Sequence, residues 1–263
     1  MSMLTEKVCV VTGAAGGIGR ATAIEMGRRG ARVIVSDVAD EQGAETARLV
    51  RQTGAEAAYV HCDVREEQQI AALMEAAVSR CGGIDVLHNN AGVHETDFTA
   101  ETSVDTLSLE TWTKVYEINL RGVWLATKHA APHLKRSQRG PAIVNAASIG
   151  GVVGYPMAPC YCSTKGAVIQ LTKVTAIDLA PTVRCNCYCP AAVDTPMVQK
   201  YFDAAEDREA VHRALTGSHL IPRLGRPEEV AALVCFLASD EASWLTGAAY
   251  TIDGGSTAWR GSN

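Results

Sequence analysis

Five short runs of almost uninterrupted apolar residues constrain this chain most: Val8-Cys9-Val10-Val11, Val33-Ile34-Val35, Ala57-Ala58-Tyr59-Val60, Ile84-Asp85-Val86-Leu87 and Ala142-Ile143-Val144. A strand with one wet face alternates apolar and polar residues, whereas a strand covered on both faces does not; the second habit belongs to parallel sheets. Between the runs lie helical patterns. Ile70, Leu73, Met74, Ala77, Val78 and Cys81 recur along one helical face. Pro227 sits where a helix opens, with Val230, Leu233, Val234 and Leu237 on one side of it. Strand and helix alternate from residue 7 to about residue 253, with no repeat or linker between them. The reading is an α/β fold: a single doubly wound parallel sheet with helices on both faces, residues 1–263 forming one domain.

Charge and composition remove several classes of function. With 24 Lys+Arg against 29 Asp+Glu the net charge is −5, so there is no electrostatic case for nucleic acid. No apolar stretch reaches the roughly 18 residues of a membrane span. Met1 to Lys7 contains no basic region feeding an apolar run, and no export signal is expected. The nine cysteines are odd in number and lack a framework spacing, so they read as reduced thiols. A cytoplasmic protein acting on a small molecule is expected.

The first apolar run leads into Thr12-Gly13-Ala14-Ala15-Gly16-Gly17-Ile18-Gly19. Glycines at a strand-to-helix turn let backbone approach a phosphate, and the helix N-terminus offers free N–H groups and partial positive charge. The Gly-Lys-Ser/Thr ending of a triphosphate loop is missing. This is the setting of a Rossmann-type dinucleotide site, although a tight turn alone would also use glycine. Asp37, 18 residues past Gly19 at the end of the second strand, stands where a carboxylate would accept the adenosine ribose hydroxyls of NAD. Its alternative reading is an N-cap or a solvated strand end. Asp63, closing the third strand, has the same two readings.

Tyr161 and Lys165 lie four residues apart in a stretch that reads as helix towards Leu179. Four helical steps leave them about 40° apart on one face. Ser148, ending the strand from Ala142 to Ala147, would point into the crevice at the C-terminal edge of a parallel sheet. Such a trio can do acid–base work. A tyrosine of pKa about 10 acting near neutrality needs a shift of roughly 3 units, or ~4 kcal/mol. A lysine ~4 Å away supplies about 1 kcal/mol in water and ~4 at an intermediate dielectric, so the pocket must be partly dry. The alternative is an exposed i, i+4 pair.

Taken together, these residues resemble the short-chain dehydrogenase/reductase family. The glycine loop matches at Thr12 to Gly19, an N-N-A-G element at Asn89-Asn90-Ala91-Gly92, and an asparagine at Asn119 within Glu117-Ile118-Asn119-Leu120. The serine matches at Ser148 and the Y-x-x-x-K at Tyr161 and Lys165, with twelve residues between Ser148 and Tyr161. The resemblance runs through nearly the whole chain to Asp253-Gly254-Gly255. It implies a tetrad of Asn119, Ser148, Tyr161 and Lys165. Tyr161 would be the general acid/base and Ser148 would hydrogen-bond the substrate oxygen. Lys165 would lower the tyrosine pKa and hold the nicotinamide ribose, while Asn119 would hold a water in a proton relay. The cofactor would be held by Gly13, Gly17, Ile18, Gly19, Asp37, Asp63, Val64, Asn90, Gly92, Tyr161, Lys165, Pro190, Val193 and Thr195, with no metal. NAD is implied over NADP, because Gly16 and Val38 stand where NADP users usually add a basic residue. Arg20, one turn into the helix, is the nearest arginine. A homotetramer is implied, built on helices near 108–136 and 159–180 that carry Val123, Trp124, Leu125, Val168, Ile169 and Leu171.

Some positions depart from the family pattern. Ala191 replaces the usual glycine after Pro190, and alanine resists positive φ, so the loop under the nicotinamide is expected to be slightly altered. His88 stands where an apolar residue is usual, and Cys160 and Cys162 flank Tyr161. Cys185, Cys187 and Cys189 would share one face of a core strand. His129 and His133 are i, i+4 but lack an obvious third metal ligand. Glu95 to Asp105 reads as a solvated acidic loop that also borders the substrate cleft. The resemblance implies that residues from 191 to about 222 form a lid over substrate; Met197, Tyr201, Phe202 and Leu220 there suggest an apolar one, and the basic residues available are Lys200, Arg208, Arg213 and, just beyond, Arg223. The expected activity is NAD-dependent interconversion of a secondary alcohol and its ketone, on an apolar or cyclic substrate. A 3-oxoacyl thioester reductase is the alternative. A non-catalytic NAD sensor is a third reading, against which the intact tetrad argues.

Overall fold

A computed structural model describes residues 3–259 and Gly261. Met1 and Ser2, part of the stretch read for an export signal, lie outside it. Along the chain run β1 (Val8–Thr12), α1 (Gly17–Arg28), β2 (Arg32–Asp37), α2 (Asp40–Arg51), β3 (Ala57–His61), α3 (Glu67–Cys81) and β4 (Val86–Asn89). There follow α4 (Leu109–Tyr116), α5 (Gly122–Leu134), β5 (Ala142–Ala146), α6 (Pro159–Leu179) and β6 (Arg184–Pro190). Last come α7 (Pro196–Asp203), α8 (Arg208–Thr216), α9 (Pro227–Ala238) and β7 (Ala249–Ile252).

Among the described residues the seven strands form one sheet in the order β3-β2-β1-β4-β5-β6-β7. Every pairing is parallel, as the unbroken apolar runs require. Successive side chains leave opposite faces. Cys9, Val11, Val33 and Val35 pack with Met26 of α1 and Val230 and Val234 of α9. Val10 and Ile34 pack with Ile70, Leu73, Met74 and Ala77 of α3 and with Leu125, Ala126 and Leu134 of α5. After β3 the chain returns to lay β4 against the free side of β1. This reversal opens a crevice beyond the C-terminal ends of β1 and β4, where such sheets bind ligands.

The fourth strand begins two residues later than its apolar run. Asp85 instead turns its carboxylate onto the Val8 N–H at 2.7 Å, Ser137 and Arg139. The stretch near 108–136 is interrupted: between α4 and α5 lies a π-helical turn, Glu117–Arg121. Such wide turns are rare and concentrate at functional sites. Three side chains assigned to an assembly surface lie inside the protomer: Val123, Leu125 and Val168 are buried against the sheet. On these helices Leu109, Trp112, Tyr116, Trp124, Val174 and Ile177 are large apolar residues left exposed. No helix among the described residues is long and apolar enough to cross a membrane.

Candidate active site

The crevice is a cavity of about 350 Å³. Its walls include Gly13, Gly17, Ile18, Asp37, Asp63, Val64, Asn90, Gly92, Pro190 and Thr195, together with Tyr161 and Lys165. Gly19, Val193, Asn119 and Ser148, also expected at the site, do not form this wall. Gly19 lies behind the loop: a Cβ there would fall 2.2 Å from the Gly13 carbonyl oxygen. Val193 faces a neighbouring cavity with His219 and Gly225. The cradle suits a phosphate-bearing ligand. Gly13 has φ +64, and a Cβ on it would lie 2.6 Å from Ala91 Cα. Bare backbone therefore meets bare backbone at the N-terminal end of α1, which carries no side-chain cap. Asn90 holds the loop from below, donating to the carbonyls of Thr12 and Gly13 at 3.1 and 2.8 Å.

Asp37 closes one end of the cavity. Its carboxylate accepts the Ala15 N–H at 2.9 Å and the Ala39 N–H at 3.0 Å, which aims the group along the loop. Gly16 and Val38 line the cavity beside it. Arg20 is turned back onto its own surroundings, donating to Thr46 Oγ1 at 2.9 Å and to the carbonyl of Ala15. Asp63 also lines the wall, but Arg65 clamps both carboxylate oxygens and holds its pKa below the ordinary value. Its backbone N–H donates to Gln69.

At the other end stand Tyr161 and Lys165, in the first two turns of α6. Lys165 is buried, and its ammonium donates to the Ala146 carbonyl at 2.7 Å. Burial pulls its pKa down to about 8. The Lys165 nitrogen lies 5.6 Å from the centroid of the Tyr161 ring. The expected depression of the tyrosine pKa is not what the structure has. Desolvation of Tyr161 raises it to about 12, against a downward pull from its hydrogen bond with Ser148. Lysine aimed at a backbone carbonyl cannot offset that burial.

Ser148 lies just past β5, where it caps a short turn by accepting the Gly150 N–H at 3.0 Å. Asn119 projects from the π-helical turn and is fully buried. Its carboxamide accepts the Val93 N–H and donates to the Val93 carbonyl, each at 2.9 Å. It thereby ties the segment after β4 to the tetrad. The loop after Pro190 is not strained by Ala191: the non-glycine residues of positive φ among those described are Glu6 and Met157. Ala191 N–H donates to Ile252 instead.

Sequence reasoning missed the residues beyond Tyr161. The His94 ring packs against Tyr161 with centroids 4.9 Å apart, and Tyr155 lies 6.4 Å away on another side. Thr96 Oγ1 lies 3.1 Å from the Tyr201 hydroxyl, and Asp97 pairs with Lys200, so the turn after β4 touches α7. The acidic stretch is not wholly solvated either. Glu95 is completely buried and accepts the N–H groups of Cys160 and Tyr161, both at 2.7 Å. One signal pointed there: Ala158 at the N-cap of α6 has no side-chain acceptor, so the cap had to come from elsewhere.

The cysteine string and the paired histidines take structural places. Cys185, Cys187 and Cys189 are buried along β6. His129 bonds Glu67 at 2.9 Å, and His133 lies 2.7 Å from Arg136. His88 is fully buried with Nε2 3.1 Å from the Tyr188 hydroxyl, and burial pushes its pKa down to about 3.

Comparison with known proteins agrees with this geometry. A family model described as enoyl-(acyl carrier protein) reductase matches residues 13–257. The chain is 42% identical over 254 residues to the cis-4-hydroxycyclohexanecarboxylate dehydrogenase of Sinomonas cyclohexanicum, covering 96% of this chain and 97% of that one. It is 38% identical over 259 residues to the cyclopentanol dehydrogenase of Comamonas sp. strain NCIMB 9872, covering 98% and 100%. The ligand-free structure of Thermoplasma acidophilum aldohexose dehydrogenase superposes with a TM-score of 0.87 at 36% identity, covering 98% and 97%.

Proposed function

The chain belongs to the short-chain dehydrogenase/reductase family, and from that premise we propose that it is an NAD-dependent dehydrogenase interconverting an apolar, ring-borne secondary alcohol and its ketone. The observation carrying this reading is one continuous crevice with Asp37 at one end and Tyr161 with Lys165 at the other. A nicotinamide cofactor supplies the hydride acceptor. The protein's own work is positioning and proton movement. Tyr161 takes the proton of the substrate hydroxyl in the oxidative direction and returns it in the reductive one. Ser148, already hydrogen-bonded to Tyr161, holds the substrate oxygen beside it. Lys165 would hold the nicotinamide ribose, and Asn119 would hold a water in a proton relay to solvent. Asp37 would accept the adenosine ribose hydroxyls, with Asn90 and Val64 holding the adenine side and Thr195 the carboxamide; all four line the cavity.

A ring alcohol suits the apolar surroundings of Tyr161, where the His94 and Tyr155 rings lie near its own and Met197 lines the cavity, and two relatives are named for alcohols borne on a ring. Reduction of a 3-oxoacyl thioester is favoured by the family model's description. Against it, the basic residues of segment 191–222, and Arg223 just beyond it, already have partners. Lys200 pairs with Asp97, Arg208 with Asp203, Arg213 with Glu209 and Arg223 with Glu229. A homotetramer in the cytoplasm completes the proposal.

The test follows reduced-nicotinamide absorbance with NAD and a panel of cyclopentanol, cyclohexanol and open-chain secondary alcohols, alongside a 3-oxoacyl thioester with NADH. Turnover of the ring alcohols is expected to exceed that of the others. Thioester reduction without ring-alcohol oxidation would replace this reading with its alternative, and inactivity on every substrate would leave the NAD sensor.

A further inference from the structure

We propose that Glu95 is a positioning residue for Tyr161: a buried carboxylate from the turn after β4 that caps the helix carrying the acid–base tyrosine and sets where its hydroxyl stands. The proposal rests on the assignment of Tyr161 as general acid/base. The first N–H groups of a helix lack intrahelical acceptors. In α6 the N-cap residue, Ala158, offers none, and Pro159 at the first position has no N–H to satisfy. The next two N–H groups, those of Cys160 and Tyr161, both end on Glu95 Oε1 at 2.7 Å. The residue whose side chain does the chemistry thus has its own backbone held from across the cleft.

A cap alone does not call for such a residue. Serine, threonine or asparagine at position 158 would cap α6 locally, without burying a carboxylate. Glu95 is fully buried, and its Oε2 makes no hydrogen bond. His94 Nδ1 lies 3.4 Å from that oxygen, but it accepts from the Thr96 N–H and presents a lone pair rather than a proton. The charge is therefore met by the positive end of α6 and by little else. The same turn fixes the tyrosine ring, because His94 packs on it at 4.9 Å. Backbone and ring of Tyr161 are gripped by consecutive residues of one segment.

Glu95 also stands in the electrostatic surroundings of the tyrosine. The groups facing Tyr161 are Ser148, Cys162 and Lys165, Tyr155, Tyr188 of β6, Tyr201 of α7, and His94 and Glu95 of the turn. Glu95 is the carboxylate among them and Lys165 the ammonium. A negative charge disfavours tyrosinate, so removing it makes Tyr161 easier to deprotonate.

Three variants of the full chain test this: Glu95→Ala, Glu95→Gln and, as a control on the premise, Tyr161→Phe. Each is read by kcat, KM, NAD dissociation constant, melting temperature and the pH of half-maximal kcat. Glu95→Ala is expected to lose about 10- to 100-fold in kcat, the scale of a misplaced catalytic group, with NAD binding within about threefold. Glu95→Gln keeps an acceptor oxygen, so it should recover most of that kcat while its pH midpoint moves downward. Wild-type kcat in both Glu95 variants overturns the proposal. So does a fall in melting temperature with an unmoved pH midpoint in Glu95→Gln, which marks a purely structural cap. If Glu95→Ala does not fold, the pH midpoint of Glu95→Gln decides alone. Tyr161→Phe with undiminished turnover would instead remove the premise, whatever the Glu95 variants do.

Discussion

The Lys165 ammonium is bonded to the Ala146 carbonyl at 2.7 Å, so a buried charge pins α6 to the end of β5. Burial has brought that ammonium to about pKa 8, which places its titration within reach of ordinary buffers. NAD binding is expected to weaken as pH rises through about 8, because a neutral amine is a poorer donor to the ribose. A hydrogen bond from a charged donor is worth about 1.5–3 kcal/mol, so the dissociation constant should rise about 10- to 100-fold once titration is complete. Fluorescence titration of NAD across this pH range gives the answer. In Lys165→Met the constant should be weak throughout and flat with pH; a wild-type constant that is itself flat would separate Lys165 from the ribose.

Tyr161→Phe removes the titratable oxygen while keeping the ring that packs on His94. Turnover should fall by ~10²–10⁴-fold, while cofactor affinity changes by no more than about tenfold, the scale of one lost hydrogen bond. Steady-state rates together with NAD titration of the purified variant check both halves.

Asp37 is expected to give a preference for NAD over NADP on the order of 10²-fold in kcat/KM, because its carboxylate would face a 2′-phosphate of the same sign. Asp37→Ser should narrow that ratio at least tenfold, chiefly by weakening NAD. Equal values for the two cofactors in the wild type would show that Asp37 does not bind the ribose.

Acid stability is expected to depend on His88. Its folded pKa of about 3 lies below the ordinary histidine value, so the unfolded chain takes up the proton first. The stabilising contribution is complete above about pH 6.5 and is lost as pH falls towards 3, amounting to roughly 3 kcal/mol by pH 4.5. Melting curves between neutrality and about pH 4.5 should therefore fall less steeply for His88→Val than for the wild type. Parallel slopes would mean that His88 is not kept neutral by burial.

What could be read from the sequence was local in origin. Tyr161 and Lys165 share a side because helical spacing puts them there, and Asp37 follows from a strand beside a glycine turn. The parallel sheet follows from apolar runs that do not alternate. Other features depend on segments far apart in the chain. Glu95 meets the N–H of Tyr161 from 66 residues away, and its acidity alone reads as solvation. Val123, Leu125 and Val168 are apolar whether they face a sheet or a partner, and packing alone turned them inward. The π-helical turn has no mark in composition, since Glu-Ile-Asn-Leu-Arg would sit comfortably in an ordinary helix. One signal was local and still passed over: Arg65, two residues beyond Asp63, clamps its carboxylate.

That turn divides the long helical stretch into two independent rotational frames. A residue added or removed in an α-helix turns everything beyond it by about 100°. Because the widening falls between Tyr116 and Gly122, α4 and α5 present their faces in different phases. Thr111 and Val115 are the buried face of α4, while Ala126, Ala130 and Leu134 of α5 pack against the sheet. Shortening the turn by one residue would bring the halves back into phase and leave one of these faces misdirected. The widened turn therefore works as a phase shifter between the buried face of α4 and that of α5.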